Sequence, residues 1–193
     1  MSDSPEPVPA ASRLINREAL IRLEPDAVDS FVKLTIDRIH SLLYQILGHR
    51  QEAEDMTQEV YMRAFRALPT FRGEAEPMTW IYRIAINCGR DAIARRQAAR
   101  KRDGGEIDPD AHAAPDDPAA NAVESEELRV LRGALGRLDE EWRNVILLVD
   151  IEGLSMEEAG QTLQVPTGTV KSRLHRAREA LREEVKRMMG GKS

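Results

Sequence analysis

The stretch LSMEEAGQTLQVPTGTVKSRLHRAREAL, Leu154–Leu181, decides how this chain reads. Ser155-Met156-Glu157-Glu158 has the order of a capping box, in which a serine and a glutamate satisfy each other's free backbone N–H groups. It predicts a short helix through Leu163. QVPTG then makes a tight turn, and a last helix runs from about Thr169 to Met188. Two helices joined by so short a turn have the form of a helix-turn-helix. At 100° per residue, Val170, Leu174, Ala177 and Leu181 share the inward face of the last helix. Its first half therefore presents Thr169, Lys171, Ser172, Arg173, His175 and Arg176 outward. Arginine can bond guanine bidentately, and lysine and serine can hold phosphates. A basic helix alone also fits an ordinary solvated face. The capped helix and tight turn directly before it favour a major-groove reader. His175 fits a base contact or plain exposure equally. Glu179, Glu183 and Glu184 are expected to pair with Arg176, Arg182 and Lys186 along the helix.

Upstream, WRNVILLV (Trp142–Val149) is apolar nearly all round, so it belongs in a core. Asp139 is placed to cap it and Gly153 to end it. A further helix fits Ser125–Arg137. Residues 124–190 thus make one small domain. Residues 103–123 are different. Asp103, Glu106, Asp108, Asp110, Asp116 and Asp117 occur with no Lys or Arg, beside Gly104-Gly105, and only Ile107 and Val123 are sizeable and apolar. Such a stretch buries too little surface to offset its ordering entropy. It reads as a flexible acidic linker between two domains. Residues 1–24 read as a polar tail with one short helix in LINREALIRL.

The other domain spans 25–102. Val28, Phe31, Val32, Thr35, Ile39, Leu42, Leu43 and Ile46 recur at helical spacing and stop at Gly48. A second helix fits about Gln51 to Leu68, with Ala53, Met56, Val60, Ala64 and Ala67 inward. Its opposite stripe is Asp55, Gln58, Glu59, Met62 and Arg66. Acids near a helix N-terminus are favoured by the dipole without any partner; a polar stripe interrupted by Met62 also suits a protein interface. A third helix, about Met78 to Arg102, turns Ile81, Ala85, Cys88 and Ala92 inward. It carries a second face of Trp80, Ile84, Asn87 and Asp91, flanked by Arg83 and Arg90. Ring, amide and guanidinium groups together suit unpaired bases: one stacks, one reads an edge, one holds phosphate. Trp80 and Ile84 fit packing against the loop or a neighbouring helix equally well. Phe71 and the loop to Thr79 are placed to close over that face. Arg95, Arg96, Arg100, Lys101 and Arg102 end the helix in a cationic run.

The formal net charge is −5, so nucleic acid is not an obvious partner until the signs are seen to come in blocks. Aromatic content is 4%, and Ala, Leu, Arg and Glu dominate, which points to an all-α fold. The single Cys88 excludes an intramolecular disulfide and a Cys-rich zinc site. The histidines lack ligand spacing. No metal or cofactor is expected. Neither a phosphate-binding glycine loop nor a nucleophile–base pair is recognisable, so an enzyme is the least favoured class. No apolar run reaches membrane-span length and the N-terminus lacks signal-peptide order, so the expected place is the cytoplasm.

EAEDMTQEVYMRAFRALPTFRGEAEPMTWIYRIAINCGRDAIARR (Glu52–Arg96) closely resembles region two of bacterial sigma factors of the extracytoplasmic-function (ECF) class. LDEEWRNVILLVDIEGLSMEEAGQTLQVPTGTVKSRLHRAREAL (Leu138–Leu181) resembles their region four. The resemblance implies a dissociable, non-catalytic RNA polymerase subunit, made of two helical domains, that selects and opens promoters for a stress or envelope-response regulon. It implies that Asp55, Gln58, Glu59, Met62 and Arg66 dock on the clamp of the largest core subunit, with the flap of the second-largest subunit as another partner. It implies that Phe71, Ile84 and Asn87 line a pocket for an unstacked minus-ten base, with Trp80 at its edge. Arg83, Arg90, Arg95 and Arg96 then serve the neighbouring minus-ten phosphates. The final helix would read the minus-thirty-five element through Thr169, Lys171, Ser172, Arg173, His175 and Arg176. An anti-sigma factor is the implied regulator, and the acidic linker would thread the polymerase cleft. Two departures stand out: Glu76-Pro77-Met78 where many members have an aromatic or charged residue, and His175 where some have an aromatic. The competing readings are a stand-alone helix-turn-helix regulator and a sigma mimic that titrates an anti-sigma factor.

Overall fold

The computed structural model describes residues 14–102 and 125–190. These residues form helices and turns and contain no strand. The linker expected over 103–123 and most of the expected tail lie outside them. Helix α1 (Arg17–Ile21) is capped by Asn16, whose side chain accepts from the Ala19 N–H at 3.1 Å. Helix α2 (Pro25–Leu47) starts on a proline, tolerated because first-turn N–H groups have no intrahelical partner anyway. It ends at Gly48, whose φ of 70° is the left-handed cap that glycine adopts freely. Helix α3 (Arg50–Ala67) runs into a 3₁₀ turn at Leu68–Thr70, where Pro69 cannot continue an α-helix. Helix α4 (Pro77–Arg102) is the longest of the described helices.

Helices α2, α3 and α4 pack pairwise into a bundle around Phe31, Ile39, Leu42, Leu43, Val60, Ile81, Ala85 and Cys88, all buried. The inner face of α3 differs from the expected one. Thr57 and Tyr61 are buried there, while Met56 and Ala67 are half-buried. Tyr61 can enter the core because its hydroxyl lies 2.6 Å from Thr35 Oγ1. Thr35 already donates to the Phe31 carbonyl at 2.7 Å, which leaves Tyr61 as the donor. Burial pushes the Tyr61 phenol up to about 12.

The second domain comprises α5 (Glu126–Gly136), α6 (Glu140–Ile146), α7 (Met156–Leu163) and α8 (Thr167–Gly190). Ser125 caps α5. Asp139 occupies the cap position of α6 without a side-chain hydrogen bond. Helix α6 continues as a π turn over Leu147–Ile151, and Gly153, with a φ of 75°, turns the chain toward α7. The capping box is fully formed: Glu158 N–H donates to Ser155 Oγ at 3.2 Å, and Ser155 N–H donates to Glu158 Oε2 at 2.8 Å. Helix α8 begins two residues before the expected Thr169. The Pro166 carbonyl accepts from Thr169 and Val170, so the helical pattern is set from the proline. The α7–α8 turn closes on Gly160, where a Cβ would stand 2.9 Å from the Val165 carbonyl oxygen.

The two domains lie against each other, α4 on α7 and α2 on α5. The sequence pattern anticipated two units and a tether, and did not anticipate this contact.

Candidate nucleic-acid interface

Helix α8 is anchored by buried Val170, Leu174 and Ala177. Arg178 reinforces this with a two-pronged pair to Asp150, at 3.0 and 2.6 Å, tying α8 to the π turn. The opposite face presents Lys171, Ser172, His175 and Arg176, all exposed. Thr169 is half-buried at its edge, and Ser172 Oγ donates to the Thr169 carbonyl at 3.0 Å. Arg173 is set apart: its guanidinium is 2.7 Å from Glu141 of α6. It braces the helix-turn-helix by tying α8 to α6. His175 Nε2 lies 3.6 Å from Glu179, one turn on. Glu183 pairs with Lys186 at 2.9 Å as the sequence predicts, whereas Glu184 pairs with Arg187 and reaches Arg137.

The second surface lies on α4 and the loop before it. A cavity of about 580 Å³ is lined there by Thr70, Phe71, Arg72, Trp80 and Arg83. Its floor is aromatic. The Phe71 and Trp80 ring centroids are 4.9 Å apart, and Trp80 is 6.2 Å from Phe31. Both Phe71 and Trp80 are largely buried, so packing holds them in place where they line the cavity. Ile84 packs half-buried against the core. Asn87 is exposed one helical turn beyond Arg83, on the same side of α4. Tilted rings, a guanidinium and an exposed amide in a row can stack a base, hold phosphate and read an edge.

The remaining arginines diverge. Arg90 donates to Glu140 of the second domain at 2.6 Å. Arg95 reaches the Asp91 carbonyl at 3.2 Å and Met56 Sδ at 3.4 Å. Arg96 points elsewhere. It sits roughly 160° around the helix from Trp80, where it contacts the Leu47 carbonyl at 3.3 Å and Glu52 at 3.4 Å. It pins α4 to α2 and α3 and is absent from the Asn87 face.

On α3, Asp55, Gln58, Met62 and Arg66 form one exposed stripe, with Met62 47% exposed. Glu59 is half-buried because Arg63 bridges it to Asp91 of α4, at 2.7 and 2.8 Å. Phe65, 46% exposed beside this stripe, was not anticipated. Its spacing from Gln58 and Met62, at i+7 and i+3, was the available signal. The second domain adds an apolar groove of about 450 Å³ between α5 and α8, lined by Val130, Leu131, Val185, Met188 and Met189.

Among the described residues no group of three or more His, Cys, Asp or Glu side chains is placed to hold a metal ion, and no helix is long and apolar enough to cross a membrane.

Comparison with known proteins bears on these surfaces. Residues 31–99 match Sigma-70 region 2, and residues 134–183 match Sigma-70, region 4. The ECF RNA polymerase sigma factor SigW of Bacillus subtilis is 33% identical over 84% of this chain and 91% of its own. The chain belongs to the ECF sigma factors. It is thus a sigma factor that acts in transcription initiation by bacterial RNA polymerase. The RNA polymerase sigma-H factor of Pseudomonas aeruginosa is 36% identical to it over 85% of this chain and 89% of that protein. In fold, the sigma factor is similar to RpoE of Bartonella quintana, solved in complex with the anti-sigma factor NepR. The TM-score is 0.67 at 26% identity, covering 80% of this chain and 94% of that one. CnrH, solved with the cytosolic domain of CnrY, shares the fold at a TM-score of 0.65 and 22% identity, over 95% and 99% of the two chains.

Proposed function

We propose that this sigma factor reads two promoter elements with two separate surfaces. Helix α8 enters the minus-thirty-five major groove with Lys171, Ser172, His175 and Arg176. The cavity at Phe71, Trp80 and Arg83 takes an unstacked minus-ten base, and Asn87 reads beside it. Arg90 and Arg95 serve the flanking phosphates. The observation that carries this reading is the coexistence, on one chain of net charge −5, of an exposed basic helix-turn-helix face and an aromatic-lined cavity formed mainly by the other domain. Duplex recognition needs the first and strand opening needs the second, because one captured base offsets part of the unpairing cost.

The α3 stripe Asp55, Gln58, Glu59, Met62 and Arg66, with Phe65, docks on the polymerase clamp. The α5–α8 groove takes an apolar element of the flap. Core enzyme holds the two readers apart, and tethering supplies the effective concentration that each small surface lacks alone. The protein is then a cytoplasmic, non-catalytic subunit, and an anti-sigma factor would act by covering these faces. RpoE of Bartonella quintana, in complex with such a factor, supports that expectation by similarity.

In vitro transcription with purified core polymerase and promoter fragments tests the proposal. Initiation should require both core and this protein. Duplex binding by the protein alone, with no core-dependent initiation, would leave a stand-alone helix-turn-helix regulator.

A further inference from the structure

Helix α1 touches the loop that shapes the cavity. That loop, residues 71–76, supplies Phe71, Arg72, Glu74 and Ala75 to the lining. Its two ends are set by the neighbouring helical turns. The Phe71 N–H donates to the Leu68 carbonyl at 3.0 Å, and the Trp80 N–H donates to the Glu76 carbonyl at 2.9 Å. Its middle is met by α1. Gly73 is buried, with a φ of 69°. A Cβ added there would stand 2.6 Å from Arg17 Nε and 2.9 Å from Ile21 Cδ1. Arg17 and Ile21 therefore fill the space beside the Gly73 backbone that a side chain would need. Arg17 also reaches the end of the loop, with Nη1 3.4 Å from Glu76 Oε1. Four residues apart, Arg17 and Ile21 share one face of α1. Neither lines the cavity.

The helix that carries them is itself fixed. Ile15, Ala19 and Leu20 are buried in the core of the first domain, Leu20 completely. One side of α1 is thus anchored while another presses on the loop. The Arg17–Glu76 pair is 44% and 43% exposed, so the charges alone contribute little. The stem of Arg17 and the side chain of Ile21 add packing against Gly73. A loop lacks the hydrogen-bond ladder of a helix, so a few contacts of this size decide how narrowly it is held. Placement matters, because a recognition site must hold its groups to within about 0.5 Å. Helix α1 also lies outside residues 31–99, the stretch that matches Sigma-70 region 2.

We propose that α1 is a clamp on the minus-ten loop: Arg17 and Ile21 hold Gly73 and Glu76, and these two positioning residues set how sharply the cavity discriminates between bases. This rests on the proposed function for what the cavity reads, but not for the clamp itself.

The test compares the full chain with its Arg17→Ala/Ile21→Ala double variant, in which alanine keeps α1 helical and both altered side chains are exposed ones. The first arm is amide hydrogen exchange of the free protein. Peptides covering 71–76 should exchange about fivefold faster in the double variant, the upper end for losing an exposed ion pair. Peptides of α2 and α3 should exchange unchanged, which shows that the bundle is intact. Unchanged exchange in the loop, or equal acceleration throughout the bundle, would overturn the clamp. The second arm uses each protein bound to core polymerase, on pre-opened promoters that differ at one minus-ten base. The ratio of affinities for the preferred and substituted base should fall about fivefold, while affinity for core stays the same. A merely structural loss lowers both affinities together and leaves their ratio alone. An unchanged ratio beside a loosened loop would therefore overturn the role in discrimination. Arg17→Lys, which keeps a charged head and an apolar stem, should retain most of the ratio; a loss as deep as that of the double variant would overturn Arg17 as a charged clamp. If wild-type holoenzyme prefers no minus-ten base at all, the promoter-reading proposal fails, and the clamp stands or falls on the exchange arm, which uses neither DNA nor polymerase.

Discussion

Gly160 offers a test in which one substitution, made at two sites, should give opposite signs. In a helix interior, alanine is favoured over glycine by about 1 kcal/mol. Gly160→Ala, however, places its Cβ 2.9 Å from the Val165 carbonyl oxygen. That carbonyl is backbone, and the turn is held by the Val165 N–H donating to the Gly160 carbonyl at 3.0 Å. Nothing flexible can swing away, so α7 and the turn must separate. Overpacking of this kind costs about 1–3 kcal/mol, which exceeds the propensity gain, for a net loss of up to about 2 kcal/mol. At Gly168, near the start of α8, a Cβ meets nothing within 4 Å. Gly168→Ala should therefore be neutral to stabilising, by up to about 1 kcal/mol. Urea denaturation followed by circular dichroism measures both. Gly160→Ala should also weaken duplex binding, since the turn sets the angle at which α8 meets the groove. If Gly160→Ala stabilises the protein as much as Gly168→Ala does, the argument from close approach is wrong.

Ser155→Ala removes the acceptor for the Glu158 N–H and should lower stability by about 1 kcal/mol; a loss below a few tenths in the same urea assay would show the capping box to be idle. Arg176→Ala should weaken binding to a minus-thirty-five duplex by about 1–3 kcal/mol, whereas equal loss on scrambled sequence would reassign it to phosphate. Asn87→Ala should reduce discrimination at one minus-ten base on pre-opened promoter, and unchanged discrimination would remove it from the reading surface. Burial holds Glu152 above the usual carboxylate range, against the smaller lowering effects of Tyr82 and Arg38. A group raised where the two domains meet favours their contact while protonated and loses that contribution as pH rises through its raised value. The contact between domains should therefore tighten as pH falls through the acidic range, and Glu152→Gln should flatten the dependence; distance measurements between the domains across that range read it directly.

What the sequence disclosed depended on how locally each feature is encoded. The helix-turn-helix was legible because a capping box, a proline and two glycines all act within a few residues. The start of α8 was misplaced by two residues because Pro166 was read as part of the turn, whereas its carbonyl already accepts the first helical bonds. The arginine run near the end of α4 was read as a block, yet Arg95 and Arg96 are one residue apart and so about 100° apart around the helix. One lies near the Asn87 side and the other is committed to Leu47 and Glu52. The contact between domains was missed for a different reason. Tyr82, Ile86 and Ile93 form a second buried stripe beside the recognised one of Ile81, Ala85, Cys88 and Ala92. A helix apolar on two faces must be covered on both, and that much was readable. Which element covers the second face was not, because Glu152 is 70 residues away.

That second stripe sharpens the account of how a small sigma factor divides its surfaces. One helix, α4, serves three environments around its circumference. Ile81, Ala85 and Cys88 close the first domain, Trp80 and Arg83 border the cavity, and Asn87 is exposed one turn beyond Arg83. Tyr82 meets the second domain through Glu152. If the domains part, burial is lost along the third sector while the first is untouched, so the fold of the reader survives the change that exposes it. Exposing Tyr82 would be costly if the residue were leucine. A phenol is amphipathic, and its hydroxyl can exchange Glu152 for water. On the proposed reading, Arg90 would likewise exchange Glu140 for a phosphate with no loss of pairing. The cross-domain links are thus polar groups that water or other partners could satisfy if the domains parted. Replacing Tyr82 and Glu152 together by leucine and methionine should test the point. The domains should then remain joined, promoter-dependent initiation should fall, and the isolated chain should be at least as stable as wild type. Initiation at the wild-type level with the domains still joined in the free chain would show that polar character at this contact is irrelevant to opening.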